Sequence, residues 1–316
     1  MPHRPSRTRI AAAFGCVYLC WGATYAAIHI AGLYLDPRLV GASRSILSFV
    51  VLTGICLARG TSLRVPARTA WRLALVGVLM MTVNNVLLIW GETLVPSGLS
   101  SLIIAMIPIY VALFETALPN GERLNLRGWL GVLVGAAGMV ALVWPALRRT
   151  GTAAAFGSAA GYAILVAAGV VFAIASILSR RFRFHVDTFV ATTWQIAAAG
   201  AANVVLALSG RTLRTAHWTP SALAAIAFLS IFGSVVGLTA YTYLLQNVPV
   251  TKVSTYAFVN PAIAVLIGVV LFGERLGPAE LAGMALILVA VATVILSRTP
   301  STSMPSDPLL EVPIEE

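Results

Sequence analysis

The tetrapeptide Gly-Glu-Arg-Leu occurs twice in the chain, at residues 121–124 and again at residues 273–276. A pair of prolines twelve positions apart precedes each copy: Pro96 and Pro108 before the first, Pro249 and Pro261 before the second. A glycine follows the start of each copy at the same distance, at Gly131 and Gly283. Because matched spacing of this kind is the signature of an internal repeat, the sequence predicts a duplicated chain. Duplicated halves within a membrane are typical of transporters.

Apolar residues dominate the composition and place the chain in a membrane. The 316 residues are 59% hydrophobic and only 10% charged, and the mean hydropathy is +0.91, well outside the range of soluble domains. Runs long enough to cross a bilayer as helices recur along the chain. The sequence therefore predicts an all-α membrane protein with ten transmembrane helices, near residues 10–33, 39–57, 73–90, 98–118, 124–144, 157–179, 188–208, 220–245, 253–272 and 278–296.

Lysine and arginine residues predict the orientation of these helices. With the amino terminus on the cytoplasmic side, fourteen of the 21 Lys and Arg residues fall on inner segments and six on outer ones. This is the excess that the positive-inside rule requires. The net charge of +10 then reflects contact with membrane lipids, and nucleic acid is a poor alternative partner. Both termini are predicted to be cytoplasmic.

Five helices in each repeat have a geometric consequence. An odd number leaves the chain on the outer side after the fifth helix, so the second repeat is inserted upside down. Two inverted halves have two arrangements of similar energy, one open to each side of the membrane, which is the basis of alternating access. The predicted domains are a cytoplasmic tail at 1–9, a first repeat at 10–144, an extracytoplasmic linker at 145–156, a second repeat at 157–297 and a disordered cytoplasmic tail at 298–316.

Motifs spread along both halves resemble those of the drug/metabolite transporter superfamily, in particular its ten-helix EamA-type branch. The matching residues, besides the two Gly-Glu-Arg-Leu turns, are Trp21-Gly22, Pro37, Arg44, Pro108, Gly131, Gly233, Gly237, Tyr241 and Asn260-Pro261. Glu92-Thr93 departs from the pattern, since the family has small or apolar residues there, and so does Phe172, where some members repeat the helix 1 tryptophan. The resemblance implies a carrier of small organic solutes in the bacterial cytoplasmic (inner) membrane, often an exporter of amino acids or related metabolites.

Polar and aromatic side chains within the predicted spans are the candidates for a solute pathway. Pockets for small solutes combine a few convergent polar groups with an apolar lining. The candidates are Trp21, Tyr25, Asn84, Asn85, Ser101, Trp194, Gln195, Tyr241, Tyr256 and Asn260. Pro108 and Pro261 join them, because a proline inside a helix removes a backbone hydrogen bond and favours a kink. The alternatives are hydrogen bonds between helices for the polar side chains and packing kinks for the prolines.

Arg44 is a candidate for coupling or gating, because a charge inside a membrane span is costly and often functional. It lies near the outer end of predicted helix 2. Two roles are open to it. It either neutralises a carboxylate of the solute or pairs with Asp36 or Glu92 to hold the outer ends of the helices together, and the sequence favours pairing.

His29 and Glu115 are the other two candidates for coupling or gating, and they also lie within predicted spans. Glu115 is expected near the inner end of helix 4. It either couples transport to protons or reaches the interface and pairs with Arg123 or Arg127, the second being favoured. His29 is either a proton-sensitive gate or, as favoured, a neutral residue at the interface.

The two Gly-Glu-Arg-Leu turns are predicted to be structural. Glu122 and Glu274 lie where a carboxylate stabilises the amino terminus of the following helix, with Arg123 and Arg275 beside them. We expect these turns to hold helix 4 against helix 5 and helix 9 against helix 10. Close contacts between helices are also predicted at pairs of glycines four positions apart, at Gly131/Gly135, Gly157/Gly161 and Gly233/Gly237.

Three functions fit a membrane protein of this composition. A secondary carrier is favoured, because no Walker motif provides for direct use of ATP. A membrane-embedded enzyme acting on lipid or peptide needs a nucleophile with a base or paired carboxylates, and the predicted spans hold no such set. A non-transporting scaffold has no need of two exchangeable arrangements. The sequence predicts no catalytic residue, metal or cofactor; the expected partners are a small-molecule solute and lipids, and both a monomer and a homodimer remain open.

Overall fold

Helices account for the regular structure of the chain. The computed structural model describes residues 6–119, 123–148, 158–182, 184–209, 212–214, 216–248, 253, 256–273 and 277–297. Within these ranges there is no β-strand, as expected for a chain that satisfies its backbone in lipid. The predicted all-α class is therefore confirmed.

The helices overlap the ten predicted spans one by one. In chain order they are α1 (Arg7–Gly32), α2 (Pro37–Ala58), α3 (Ala67–Glu92), α4 (Ser97–Ala117), α5 (Leu126–Arg148), α6 (Ala159–Phe182), α7 (Thr188–Ser209), α8 (Pro220–Asn247), α9 (Tyr256–Phe272) and α10 (Pro278–Ser297). Seven of them, α1 to α4 and α6 to α8, are long and apolar enough to cross a membrane. The other three hold shorter apolar stretches, at Leu126–Ala141, Val259–Phe272 and Leu281–Val294. A topology of ten spans stays a prediction.

Short polar side chains and prolines begin several helices. Asp36 caps α2, with its carboxylate accepting a hydrogen bond from the backbone N–H of Arg38 at 2.9 Å, and Pro37 takes the first helical position. Thr219 caps α8 in the same way, ahead of Pro220. Proline suits this position because the first backbone N–H groups of a helix have no partner inside it. These capping residues and prolines determine where α2 and α8 begin.

Three of the long helices are irregular near their middles. A π-helical turn at Leu79–Val83 interrupts α3, and a longer one at Leu229–Leu238 interrupts α8. In α4 the regular helix stops at Ile104 and resumes at Ile107, one residue before Pro108. By contrast, α9 runs on through Pro261. The π-helical turns of α3 and α8 widen these helices locally, and such turns are frequent at functional sites.

The longest contact between helices joins α5 to α10. A Cβ placed on Gly131 would lie 2.9 Å from Val294, and one on Gly138 would lie 2.9 Å from Leu286, so the glycines let the two backbones approach closely. The predicted contacts of α4 with α5 and of α9 with α10 are minor by comparison. Whether the turns hold these pairs together stays a prediction, because Glu122, Glu274 and Arg275 lie outside the described residues.

Large apolar side chains cover the outside of the bundle. Leu57, Leu133, Val270 and Leu296 are each more than 60% exposed, as expected of helices surrounded by lipid. Inside, α1 packs against α8 and α9, α3 against α6 and α7, and α2 against α7. The polar centre of the α2–α7 contact is Asn203, whose amide nitrogen lies 3.0 Å from Ser45 Oγ and 3.1 Å from the carbonyl of Met81.

Candidate solute-binding cavity

An internal cavity lies where helices of both halves meet. Its empty volume, which includes space open to its surroundings, is about 620 Å³. The walls come from α1, α2, α3, α4, α6, α8 and α9. Seven of the predicted pathway and gating residues line it: Trp21, Tyr25, Arg44, Asn84, Asn85, Tyr256 and Asn260.

Arg44 is the cation of this cavity. It is 5% exposed; its Nε donates to Ser234 Oγ at 2.7 Å, and its Nη1 donates to Asn85 Oδ1 at 3.1 Å. Within the part of the chain that the structure describes, no carboxylate lies at ion-pair distance from it. The predicted pairing with Asp36 is wrong, because Arg38 binds that carboxylate through Nε at 2.9 Å.

The π-helical turn of α8 shapes the wall beside Arg44. The indole N–H of Trp21 donates to the carbonyl of Gly233 at 3.0 Å, and a Cβ on Gly233 would lie 2.9 Å from Arg44 Nη2. A Cβ on Gly237 would collide with the Trp21 indole. The predicted close contact at this glycine pair is confirmed, and both glycines make room for side chains of the cavity.

An aromatic cluster forms part of the cavity wall. The ring of Trp21 lies 4.8 Å from that of Tyr241, 5.6 Å from that of Tyr256 and 6.0 Å from that of Phe172. Tyr241 is also held by Ser176, with 3.1 Å between the two hydroxyl oxygens. Tilted and edge-on contacts at these distances are the favoured arrangements of aromatic rings. Trp21 therefore sits in a fixed position between α6, α8 and α9.

Two buried polar atoms of α9 face the cavity without a hydrogen-bond partner among the described residues. They are the hydroxyl of Tyr256 and the amide oxygen of Asn260, and each residue is 4% exposed. By contrast, Asn84 of the same lining donates to the carbonyl of Ala168 at 2.9 Å. Buried polar groups are nearly always paired, so unpaired ones that line a cavity are candidates to bind a solute.

Several predicted pathway residues lie away from the cavity wall. Ser101 bonds to the carbonyl of Gly98 in its own helix at 2.6 Å, and the indole N–H of Trp194 donates to the carbonyl of Leu63 at 2.9 Å. Gln195 is buried in the contact of α7 with α3. Three further candidates lie outside the lining but within helices that form it: Pro108, Tyr241 and Pro261. A part in the pathway stays a prediction for all of these residues.

His29 and Glu115, the other two candidates for coupling or gating, lie outside the cavity lining. Glu115 is buried and lies 3.5 Å from Arg181 of α6. The predicted pairing with Arg123 or Arg127 is not observed, because α6 packs along α4 and brings Arg181 closer. The ring of His29 packs against that of Phe272 at 4.8 Å.

The turn motifs are described only in part. Arg123 is exposed to solvent, whereas Glu122, Glu274 and Arg275 lie outside the described residues. Among the residues that are described, no group of three or more His, Cys, Asp or Glu side chains could hold a metal ion. The structural role of the turns remains a prediction.

Sequence reasoning missed part of the lining. Thr24, Met80 and Met81 carry no signal that separates them from ordinary core residues, although all three line the cavity. Ser234 could have been found, since it directly follows one glycine of the Gly233/Gly237 pair. It places its hydroxyl on Arg44.

Helices of membrane length around a partly polar internal cavity are those of a polytopic membrane protein. Comparison with known sequences agrees with this class. The chain belongs to the EamA-like transporter family, whose domain is present twice, at residues 10–144 and 159–296. It is a transporter of the drug/metabolite transporter superfamily and a multi-pass protein of a bacterial inner membrane.

Two bacterial relatives have names that describe transport. The chain is 29% identical over 283 residues to a protein of Escherichia coli (strain K12) named "Uncharacterized inner membrane transporter YedA", covering 89% of each chain. It is 28% identical over 226 residues to the "Probable terminal-alkyne amino-acid exporter" of Streptantibioticus cattleyicolor, covering 70% of this chain and 71% of that protein. One solved crystal structure shares the fold with a TM-score of 0.68 at 24% identity, covering 92% of this chain and 98% of the other.

Proposed function

We propose that this transporter is a secondary carrier that moves small organic solutes by alternating access and exports amino acids or related metabolites. The observation that carries the proposal is the cavity itself. It is lined by helices of both halves and holds a buried arginine whose charge meets no carboxylate among the described residues. The name of the Streptantibioticus cattleyicolor relative, an amino-acid exporter, supports the choice of solute.

The contacts between helices support two equivalent halves of five helices each. If helix n of the first half matches helix n+5 of the second, the contact of α1 with α8 matches that of α6 with α3. In the same way α1–α9 matches α6–α4, and α2–α8 matches α7–α3; all six contacts are present. The π-helical turns fall in α3 and α8, which are also a matched pair. Ten spans in two repeats, within the predicted bounds 10–144 and 157–297, are the simplest account.

Backbone contacts between loops support insertion of the halves in opposite directions. The N–H of Ser158, directly before α6, donates to the carbonyl of Leu94, directly after α3, at 3.0 Å. The N–H of His217, before α8, donates to the carbonyl of Tyr34, after α1, at 3.1 Å. Thus α6 begins on the side where α1 ends. With Lys and Arg favouring the inner side, both termini are cytoplasmic.

The cavity favours transport over catalysis. Its described lining offers no histidine, cysteine or carboxylate, which are the usual nucleophiles and general bases of an enzyme. We propose instead that Trp21, Tyr25, Asn84, Asn85, Tyr256 and Asn260 surround the solute. Pro108 directly follows the lining residue Ile107 in α4, and Pro261 directly follows Asn260 in α9. Each proline lacks the backbone N–H that a helix would use in hydrogen bonding.

Solute exchange in proteoliposomes tests the proposal. Purified protein would be reconstituted into vesicles that are loaded in turn with each of twenty amino acids, and the uptake of the same labelled amino acid would be followed. We expect accelerated exchange of at least one amino acid relative to protein-free vesicles, and release of that amino acid into the medium by overproducing cells. Exchange no faster than in protein-free vesicles for every amino acid would refute amino-acid transport.

A further inference from the structure

Arg44 has hydrogen-bonding capacity that the protein does not use. A guanidinium carries five N–H donors. One donates to Ser234 and one to Asn85, and the remaining three meet no acceptor among the described residues. A buried cation is costly unless it is paired and fully hydrogen-bonded. A group that brings both a negative charge and acceptor oxygens would therefore complete the site.

A second set of unused groups belongs to the same lining, on α9. The amide oxygen of Asn260 is an acceptor without a donor, and the hydroxyl of Tyr256 is also unpaired among the described residues. Trp21 connects the two sides, since its indole N–H binds the carbonyl of Gly233, next to Ser234, while its ring lies 5.6 Å from that of Tyr256. A small molecule in the cavity would therefore meet the donors of Arg44, the amide oxygen of Asn260 and the hydroxyl of Tyr256.

We propose that Arg44 binds the carboxylate of the transported solute, and that Asn260 and Tyr256 bind an amino or hydroxyl group of the same molecule. Its apolar part then packs against Trp21 and Phe172. The solute class is a small monocarboxylate with a second hydrogen-bond donor, which includes amino acids and 2-hydroxy acids. This assignment rests on the proposed function and names the group that the site recognises.

The charge of the cavity separates this class from other anions and from cations. Arg44 is the single Lys or Arg in the described lining, so a phosphate or dicarboxylate would keep one negative charge unpaired. An amine without a carboxylate would be repelled by the guanidinium. A carboxylate offers two oxygens to the parallel N–H groups of arginine, which is the geometry of a strong charge-assisted pair.

Thermal unfolding of the purified full-length protein in detergent tests the assignment through matched pairs of probes. The pairs are L-leucine and L-leucinamide, L-phenylalanine and L-phenylalaninamide, and L-lactate and L-lactamide, which differ only in the group that Arg44 reads. We expect at least one acid to raise the melting temperature, and its amide to require about ten- to hundred-fold higher concentration for the same shift. An amide that stabilises as well as its acid would overturn the proposal.

Substitutions on one helix supply the controls. Arg44→Gln should remove the preference for the acid, and Arg44→Lys should keep a weakened preference. Arg38→Gln, which removes a partly exposed arginine six residues earlier, should leave the preference unchanged. If Arg44→Gln does not fold, the role of Arg44 is tested by comparing the acids with their amides on the wild type and on Arg44→Lys. A preference that survives in folded Arg44→Gln would refute the role of Arg44.

The two proposals fail in different ways. If no acid stabilises the wild type while the reconstituted protein still exchanges another solute, the carboxylate assignment is wrong and the carrier stands. If no solute is exchanged in vesicles although the acids stabilise the protein, the carboxylate site stands and the carrier falls.

Discussion

Arg44 of α2 and Gln195 of α7 occupy matching places in the two halves. Both helices have 22 residues, and each of these side chains belongs to the eighth residue of its helix. The carbonyl of Arg44 accepts a hydrogen bond from Ser230 of α8 at 3.2 Å, and the carbonyl of Gln195 lies against Gly77 of α3. Both side chains are buried. The backbone around the two positions is therefore organised alike.

The chemistry of the two positions differs. Arg44 lines the cavity and has two hydrogen-bonded partners. Gln195 is 1% exposed and lies outside the cavity, and neither its amide nitrogen nor its oxygen has a partner among the described residues. A duplicated fold thus carries a site that is not duplicated. The charge that we propose binds the solute carboxylate belongs to the first half alone.

The largest effect is expected from a substitution that separates the helices at the Gln195 position. In Gly77→Leu the new Cβ would overlap the carbonyl of Gln195, and a backbone group cannot move aside as a side chain can. Overpacking a core costs about 1–3 kcal/mol even where side chains adjust, so we expect loss of monodisperse protein on size-exclusion chromatography. Gly54→Leu is the control, because nothing lies within 4 Å of its Cβ. Normal folding of the Gly77 variant would contradict this packing.

The next largest effect concerns transport. Arg44→Gln makes the two positions chemically alike and removes the only described cation of the cavity. We expect the exchange of a carboxylate solute to fall at least about tenfold, which corresponds to loss of a charge-assisted hydrogen bond, while the protein remains folded. Exchange in proteoliposomes measures the effect. Undiminished exchange would mean that the asymmetry between the halves has no part in transport.

A smaller effect, of opposite sign, is expected at the other position. Gln195→Met replaces a buried amide that has no described partner with an apolar side chain of similar size. Removing such a group should stabilise the protein by about 1 kcal/mol and leave exchange unchanged, as seen in thermal unfolding and in proteoliposomes. A lower melting temperature would indicate that the amide has a partner in the folded protein.

The smallest effect belongs to the arginine of α2 that does have a carboxylate partner. Hydrogen bonds from Arg38 hold the pKa of Asp36 below its ordinary value. Because the folded pKa is depressed, the stability it provides is present above the unfolded value of about 3.9 and is lost as the pH falls through the folded pKa. Asp36→Asn keeps a capping side chain and should cost less than about 1 kcal/mol at pH 7, since the pair is partly exposed. The loss of stability caused by Asp36→Asn should vanish at a pH low enough to protonate Asp36 in the folded protein. An equal loss at pH 7 and at that low pH would contradict this prediction.

Sequence alone predicted the all-α class, the start of each described helix to within six residues, and seven of the side chains that line the cavity. Long apolar runs leave few alternatives to helices. A polar residue inside a span, such as Asn84 or Asn260, is expected to face the interior of the protein rather than lipid. The partners of charged residues could not be predicted, because Glu115 meets Arg181 only through the packing of α4 on α6. The π-helical turns and the α5–α10 contact depend likewise on long-range packing.

The opposite insertion of the two halves is the central claim, and labelling from one side of the membrane tests it most directly. Residues 61–66 connect α2 to α3, and residues 216–219 occupy the matching place before α8. Single cysteines would replace Ser62 or His217 in a chain whose three native cysteines are removed, and intact cells would be treated with an impermeant maleimide. We predict that the cysteine at 217 reacts in intact cells and that the one at 62 reacts only after the cells are opened. Reaction of both from the same side would contradict the inverted halves.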